Sequence, residues 1–134
     1  MRTLKTEKLP VATSEDVVAV RQAVRTQAQG LRFSLVDQTK LVTAASEIAR
    51  NTVLYGGGGI VEIEVLENSP RRGLRLTFED HGPGIPDLAE ALKDGYTTGT
   101  GLGLGLGGAR RLVNEFEIRS QPGMGTWVRL ARWI

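Results

Sequence analysis

Apolar and polar positions along the chain change period repeatedly, and each change marks an element. Residues 3–10 alternate weakly and predict an edge strand ending at Pro10. Thr13-Ser14-Glu15-Asp16 reads as a helix start, with carboxylates in the first turn. Val17, Val18, Val20, Ala23 and Val24 then recur at helical spacing towards Gly30. A second helical pattern runs from about Leu35 to Tyr55, with Leu41, Ala44, Ile48, Thr52 and Tyr55 in one stripe, and stops at Gly56–Gly59. Ile60 to Val65 alternates cleanly, and Leu74 to Phe78 is its antiparallel partner across a turn at Ser69-Pro70-Arg71-Arg72-Gly73. A glycine- and proline-marked stretch follows from His81 to Gly103, with a short helix over 87–93. A helix near Leu106–Asn114 and two strands, Phe116–Ser120 and Gly125–Leu130, complete the pattern, the strands joined at Gln121-Pro122-Gly123-Met124-Gly125. This order, βααββ(α)αββ, predicts an α+β two-layer sandwich with helices on one face of a mixed, mostly antiparallel sheet. At 134 residues the chain is expected to form one domain, 1–134.

Composition narrows the chemistry. Without cysteine there is no disulfide framework, thiolate zinc site or cysteine nucleophile, and one histidine, His81, is too few for a zinc or copper centre. The longest aliphatic run is Val17–Val20, too short to span a bilayer, and Met1-Arg2-Thr3-Leu4-Lys5, with no apolar stretch behind it, is not expected to open a signal peptide. A cytoplasmic location with no membrane partner is expected. Seventeen basic residues against fifteen acidic ones are interspersed, and Arg71-Arg72 and Arg110-Arg111 are isolated doublets, so no nucleic-acid partner is expected.

Glycine is the anomaly: 17 of 134 residues, nearly twice the usual roughly 7%. Four form Gly56–Gly59 and nine fall between Gly82 and Gly108. Leucines alternate with the later glycines and a helical segment follows at once, which favours a structured loop over a linker. In Gly99-Thr100-Gly101-Leu102-Gly103-Leu104-Gly105-Leu106-Gly107-Gly108, successive amides can turn onto an anion, with the next helix adding its positive end. Gly103, Gly105 and Gly108 match a dinucleotide fingerprint, but a polar stretch precedes them where a strand is required. There is no Walker-type Gly-Lys-Ser/Thr either. Three further elements could carry chemistry. Glu47 and Asn51, four apart on the second helix, lie beside its core stripe at the rim of a groove. Asp80, with Gly82 and Gly84, closes a strand and can aim a carboxylate beside exposed backbone. Gly125-Thr126 opens the last strand.

Taken together and in this order, these elements resemble the GHKL (Bergerat-fold) ATPases, a likeness that covers nearly the whole chain. Glu47 and Asn51 match the Glu-x-x-x-Asn helix, and Asp80, Gly82 and Gly84 match Asp-x-Gly-x-Gly. Gly101, Gly103 and Gly105 match the glycine-rich box and Gly125-Thr126 a terminal Gly-Thr. Ser46–Asn51, Glu79–Ile85, Asp94-Gly95-Tyr96 and Gly101–Leu106 look most like RsbT-like serine/threonine switch kinases of bacterial partner-switching stress pathways.

The resemblance implies ATP and Mg²⁺ as cofactors. It implies STAS-domain proteins as substrates, a serine phosphatase as the released partner, and recruitment into a large stress-sensing assembly, the stressosome. Carried over by position, Asp80 accepts from the adenine amino group, Gly84 gives the base close backbone access and Thr126 adds a hydroxyl. Gly82 and Ile85 complete that turn. Asn51 ligates Mg²⁺, the amides of Gly101, Leu102, Gly103, Leu104 and Gly105 hold phosphate oxygens, and Glu47 takes the proton of the incoming hydroxyl. A mobile lid is expected over residues 86–103, and Lys93 and Arg50 are the two candidates for the cation at the γ-phosphate. Alternatives are an anti-sigma-factor kinase of RsbW type, a histidine-kinase catalytic fragment, a non-catalytic nucleotide-switched binder and a dinucleotide oxidoreductase.

Overall fold

Side-chain caps start both long helices. Thr13 Oγ1 accepts from the Asp16 amide while the Asp16 carboxylate accepts from the amides of Ala12 and Thr13, a closed capping box that begins α1 (Ser14–Gly30). Ser34 accepts from the Asp37 amide and begins α2 (Leu35–Leu54). Before them runs β1 (Arg2–Val11); after them come β2 (Gly59–Asn68), β3 (Arg71–Asp80), α3 (Gly105–Arg111), β4 (Glu115–Gln121) and β5 (Gly125–Trp133). The computed structural model describes residues 1–85 and 105–134.

The five strands form one sheet in the order β1-β2-β3-β5-β4, and all four pairings are antiparallel. The expected mixed sheet is therefore wholly antiparallel. β1 is an edge strand, as its weak alternation suggested. β2 and β3 pair as far as Asn68 and Arg71, so the five-residue turn expected there shrinks to Ser69-Pro70. The α3 helix ends at Arg111, short of the expected Asn114.

Period-two alternation decides which side of the sheet the helices cover. Val61, Ile63 and Val65 on β2, Leu74, Leu76 and Phe78 on β3, and Val128 and Leu130 on β5 all join the buried cluster with Leu41, Ala44, Ala45 and Ile48 of α2 and Val20, Val24 and Ala28 of α1. α2 packs against both α1 and α3 as well as the sheet, which gives it a wider buried face than one stripe. Tyr55, placed in that stripe by the helical wheel, is 44% exposed, because it is the cap where the helix stops. The other sheet face carries Arg75, Thr77, Arg119, Trp127 and Arg129. There Glu64 and Arg75 form an ion pair at 2.9 Å, and Trp127 lies between two guanidiniums at 4.7 and 5.1 Å.

At the end of the sheet away from Asp80, Arg132 of β5 donates to Asp37 of α2 at 3.0 Å and to the Leu112 carbonyl just past α3 at 2.9 Å. One guanidinium thus ties both helices to the sheet. Its bond to Asp37 is the leading cause that holds that carboxyl below its ordinary range.

Candidate nucleotide site

Asp80 is the last residue of β3, and alternation turns its side chain to the helix-covered face, where it is 6% exposed. Its Oδ1 accepts two backbone amides, Gly82 at 3.0 Å and Thr126 at 3.1 Å. Those bonds fix the carboxylate and occupy one oxygen. The other oxygen, Oδ2, faces Gly56 so closely that a Cβ on Gly56 would collide with it, and the Thr52 carbonyl lies on the same side at 2.8 Å from that Cβ position. Gly56 follows directly on the α2 cap residue Tyr55, so the C-terminal end of α2 sits on the carboxylate.

Glycines make the approach possible. A Cβ on Gly82 would meet the Gly56 backbone, and one on Gly125 the backbone of Asp80 and His81. Gly84 and Gly125 also hold φ of +78° and +85°, a region in which L side chains are strained. The turn after Asp80 docks on the β4–β5 hairpin: the Gly123 amide donates to the Pro83 carbonyl at 2.8 Å and the Ile85 amide to Ser120 Oγ at 2.7 Å. Thr126, opposite Asp80 in register, lies 2.9 Å through its hydroxyl from the same Ser120 Oγ.

Glu47 and Asn51 lie on α2 just before Thr52. Glu47 is not at a rim but 7% exposed, since α3 as well as the sheet packs on this helix; Asn51 is half-buried. Neither side chain hydrogen-bonds to another described residue. Five residues of helix separate Glu47 from Thr52, a rise of roughly 7.5 Å, so both acids belong to the same end of the interlayer space. Gly105 is the first residue of α3, with φ of +57°. Gly101 to Leu104, the short helix over 87–93, Lys93 and the expected lid lie outside the described residues. Arg50 is half-buried on α2, and His81 lies on the exposed turn, on no helix.

Reading the residues alone missed two of these positions. Gly56 was read only as a helix stop, and Ser120 only as a strand residue; the clustering of glycines was the available signal for the first. A shallow groove of about 300 Å³ beside the hairpin is lined by Glu79, Arg119, Gln121 and Trp127, which alternate to the open face of the sheet. Asp80, Ser120, Gly125 and Thr126 line it as well, so it reaches the hairpin side of the Asp80 cleft.

The donors present suit a nucleotide and a hard cation. A carboxylate with one saturated and one available oxygen fits a single exocyclic amino group. Glu47 and Asn51 offer only oxygen donors of the kind Mg²⁺ takes alongside phosphates and water. Among the described residues no cluster of three or more His, Cys, Asp or Glu could cage a metal by itself.

Comparison with known proteins agrees with this geometry. Residues 36–133 match the family model of the histidine kinase-, DNA gyrase B- and HSP90-like ATPases. The chain is 44% identical to the serine/threonine-protein kinase RsbT of Bacillus subtilis, over 92% of this chain and 93% of that one. It is 35% identical to an anti-sigma F factor of Bacillus licheniformis, covering 72% and 69%. Its fold superposes on the RsbU and RsbW domains of a Mycobacterium tuberculosis protein with a TM-score of 0.66 at 21% identity, covering 96% of this chain and 32%, about a third, of the other. The chain belongs to the histidine kinase-, gyrase B- and HSP90-like ATPase family. Within that family it falls with the partner-switch serine/threonine kinases of the RsbT kind.

Proposed function

We propose that residues 1–134 act as one ATP- and Mg²⁺-dependent kinase domain that phosphorylates a STAS-domain partner in a bacterial stress pathway. Released from that partner, it activates a serine phosphatase. The observation that carries the nucleotide half of this reading is the Asp80 carboxylate. Its Oδ1 is saturated by the Gly82 and Thr126 amides and its Oδ2 is left to a ligand beside Gly56. A guanine edge, with two adjacent N–H donors, asks for both oxygens of a carboxylate; an adenine amino group asks for one.

At the triphosphate end, Asn51 holds the cation through its amide oxygen, and the glycine run ending at Gly105 gives amides to the phosphates. Mg²⁺, when bound, neutralises phosphate charge and orients the transferred group. Glu47 takes the proton of a seryl or threonyl hydroxyl as its oxygen bonds to the γ-phosphorus. The bond to the β,γ-bridging oxygen breaks and ADP leaves. Burial of Glu47 beside that hydroxyl keeps competing water away from the base. Arg50 on α2 is the described one of the two candidate cations for the γ-phosphate. The domain works in the cytoplasm, within reach of a stressosome-like assembly.

The test is transfer. Incubated with γ-labelled ATP and a purified STAS-domain protein, the chain is expected to label that protein on serine or threonine. Tight nucleotide binding with no label on any STAS protein tried would leave only a nucleotide-switched binder. A second reading, an anti-sigma kinase, is favoured by the likeness to anti-sigma F factors. Co-elution with a sigma factor in the presence of ADP would select it.

A further inference from the structure

Ser120 sits on β4, one strand beyond the cleft, yet its hydroxyl is the meeting point of three groups that border it. The Ile85 amide donates to Ser120 Oγ at 2.7 Å. The Gly125 carbonyl lies 3.1 Å away, and Thr126 Oγ1 lies 2.9 Å away. Ser120 has one proton to give and two lone pairs to offer. One lone pair is taken by Ile85. The Gly125 carbonyl can only accept, so the arrangement that gives every member a partner sends the Ser120 proton to Gly125. Its second lone pair then receives the Thr126 proton. With its proton committed, Thr126 can present only lone pairs to the cleft.

We infer that Ser120 is a specificity-determining positioning residue: it holds the Thr126 hydroxyl as a hydrogen-bond acceptor next to Asp80, whose Oδ1 takes the Thr126 amide. This inference rests on the purine reading of the cleft. Two acceptors on neighbouring strands, Asp80 Oδ2 and Thr126 Oγ1, favour a 6-amino purine edge, which brings two N–H donors or one donor and a bridging water. They oppose a 6-oxo edge, which gives one donor, N1–H, and turns its carbonyl lone pair against the other acceptor. Removing the Ser120 hydroxyl frees the Thr126 hydroxyl to rotate and donate. A donor there accepts a 6-oxo group, so discrimination falls even though Ser120 itself touches no base.

The readout is a ratio. Isothermal titration measures ADP and inosine diphosphate on the wild-type chain and on S120A, S120T and T126V. The wild type is expected to prefer ADP. S120A is expected to lower that preference about tenfold, with inosine diphosphate binding unchanged or tighter. S120T keeps a hydroxyl and is expected to restore most of the preference. T126V removes the acceptor while keeping its shape and is expected to lose the preference to the same extent. The double variant should lose no more than either single one, because the two residues act through one bond. A purely structural role for Ser120 would weaken both nucleotides equally and leave the ratio within about twofold of wild type, which overturns the inference. Should S120A be poorly folded, T126V decides: an unchanged ADP preference there overturns it as well. A wild-type chain that binds neither nucleotide brings down the purine reading itself, and the inference with it.

Discussion

Two ends of the same sheet treat their carboxylates in opposite ways. At the far end, Asp37 is answered by Arg132, and on the open face Glu64 is answered by Arg75. At the cleft end, among the described residues, Asp80 receives only backbone amides and Glu47 receives nothing. A buried carboxylate without a partner costs free energy, several kcal/mol in the least favourable cases. Glu64 and Asp37 have guanidinium partners and, among the described residues, Asp80 and Glu47 have none; on the function proposed above, a ligand offsets that cost.

The sharpest way to break this contrast is at Glu47. E47A is expected to leave ADP affinity within about twofold of wild type and to slow phosphoryl transfer about 10²- to 10⁴-fold. Single-turnover transfer to a STAS protein checks it, and a wild-type rate in E47A would remove the base assignment. Next in size is D80N. It replaces the free anionic oxygen and loses a charge-assisted bond of about 1.5–3 kcal/mol, weakening nucleotide about 10- to 100-fold by calorimetry. Melting temperature without nucleotide should change little beside that loss.

R132M is expected to do the reverse. It leaves nucleotide affinity alone but lowers unfolding free energy by about 2 kcal/mol in urea melts, since Asp37 loses its guanidinium and the Leu112 carbonyl its donor. The smallest effect comes from pH on that same pair. Arg132 holds the Asp37 carboxyl below its ordinary value of 3.8. A depressed folded pKa means that the unfolded chain protonates first on acidification. The stabilisation is therefore complete above 3.8 and drains away as pH falls from that value through the lower folded one. The stability gap between wild type and R132M should accordingly narrow below pH 3.8 and hold constant above it; a gap that widens in acid would contradict the assignment.

Much of this was written in local patterns. The helix start at Thr13–Asp16, the Glu47–Asn51 spacing on one helix and the alternation of Ile60 to Val65 depend on neighbours within four residues, so the chain states them outright. What escaped depends on distant neighbours. Glu47 looked like a rim residue because a helical wheel knows one packing partner, whereas α2 has α1, α3 and the sheet around it. Tyr55 falls in the core stripe on the wheel, yet as the cap residue beyond the last turn it is 44% exposed.

The order of the described elements and the starts of both long helices were thus determined by sequence alone, because propensity, capping and period are short-range. Which oxygen of Asp80 is free was decided by the fold, since its partners at Gly56, Gly82 and Thr126 come from three separate stretches of chain. Pairing β3 with β5 brought Thr126 beside it, and pairing β4 with β5 brought Ser120 within reach of Thr126. Hydrogen bonds fall off within a few tenths of an ångström, so only the closed sheet could say which of the chain's many hydroxyls and amides would meet.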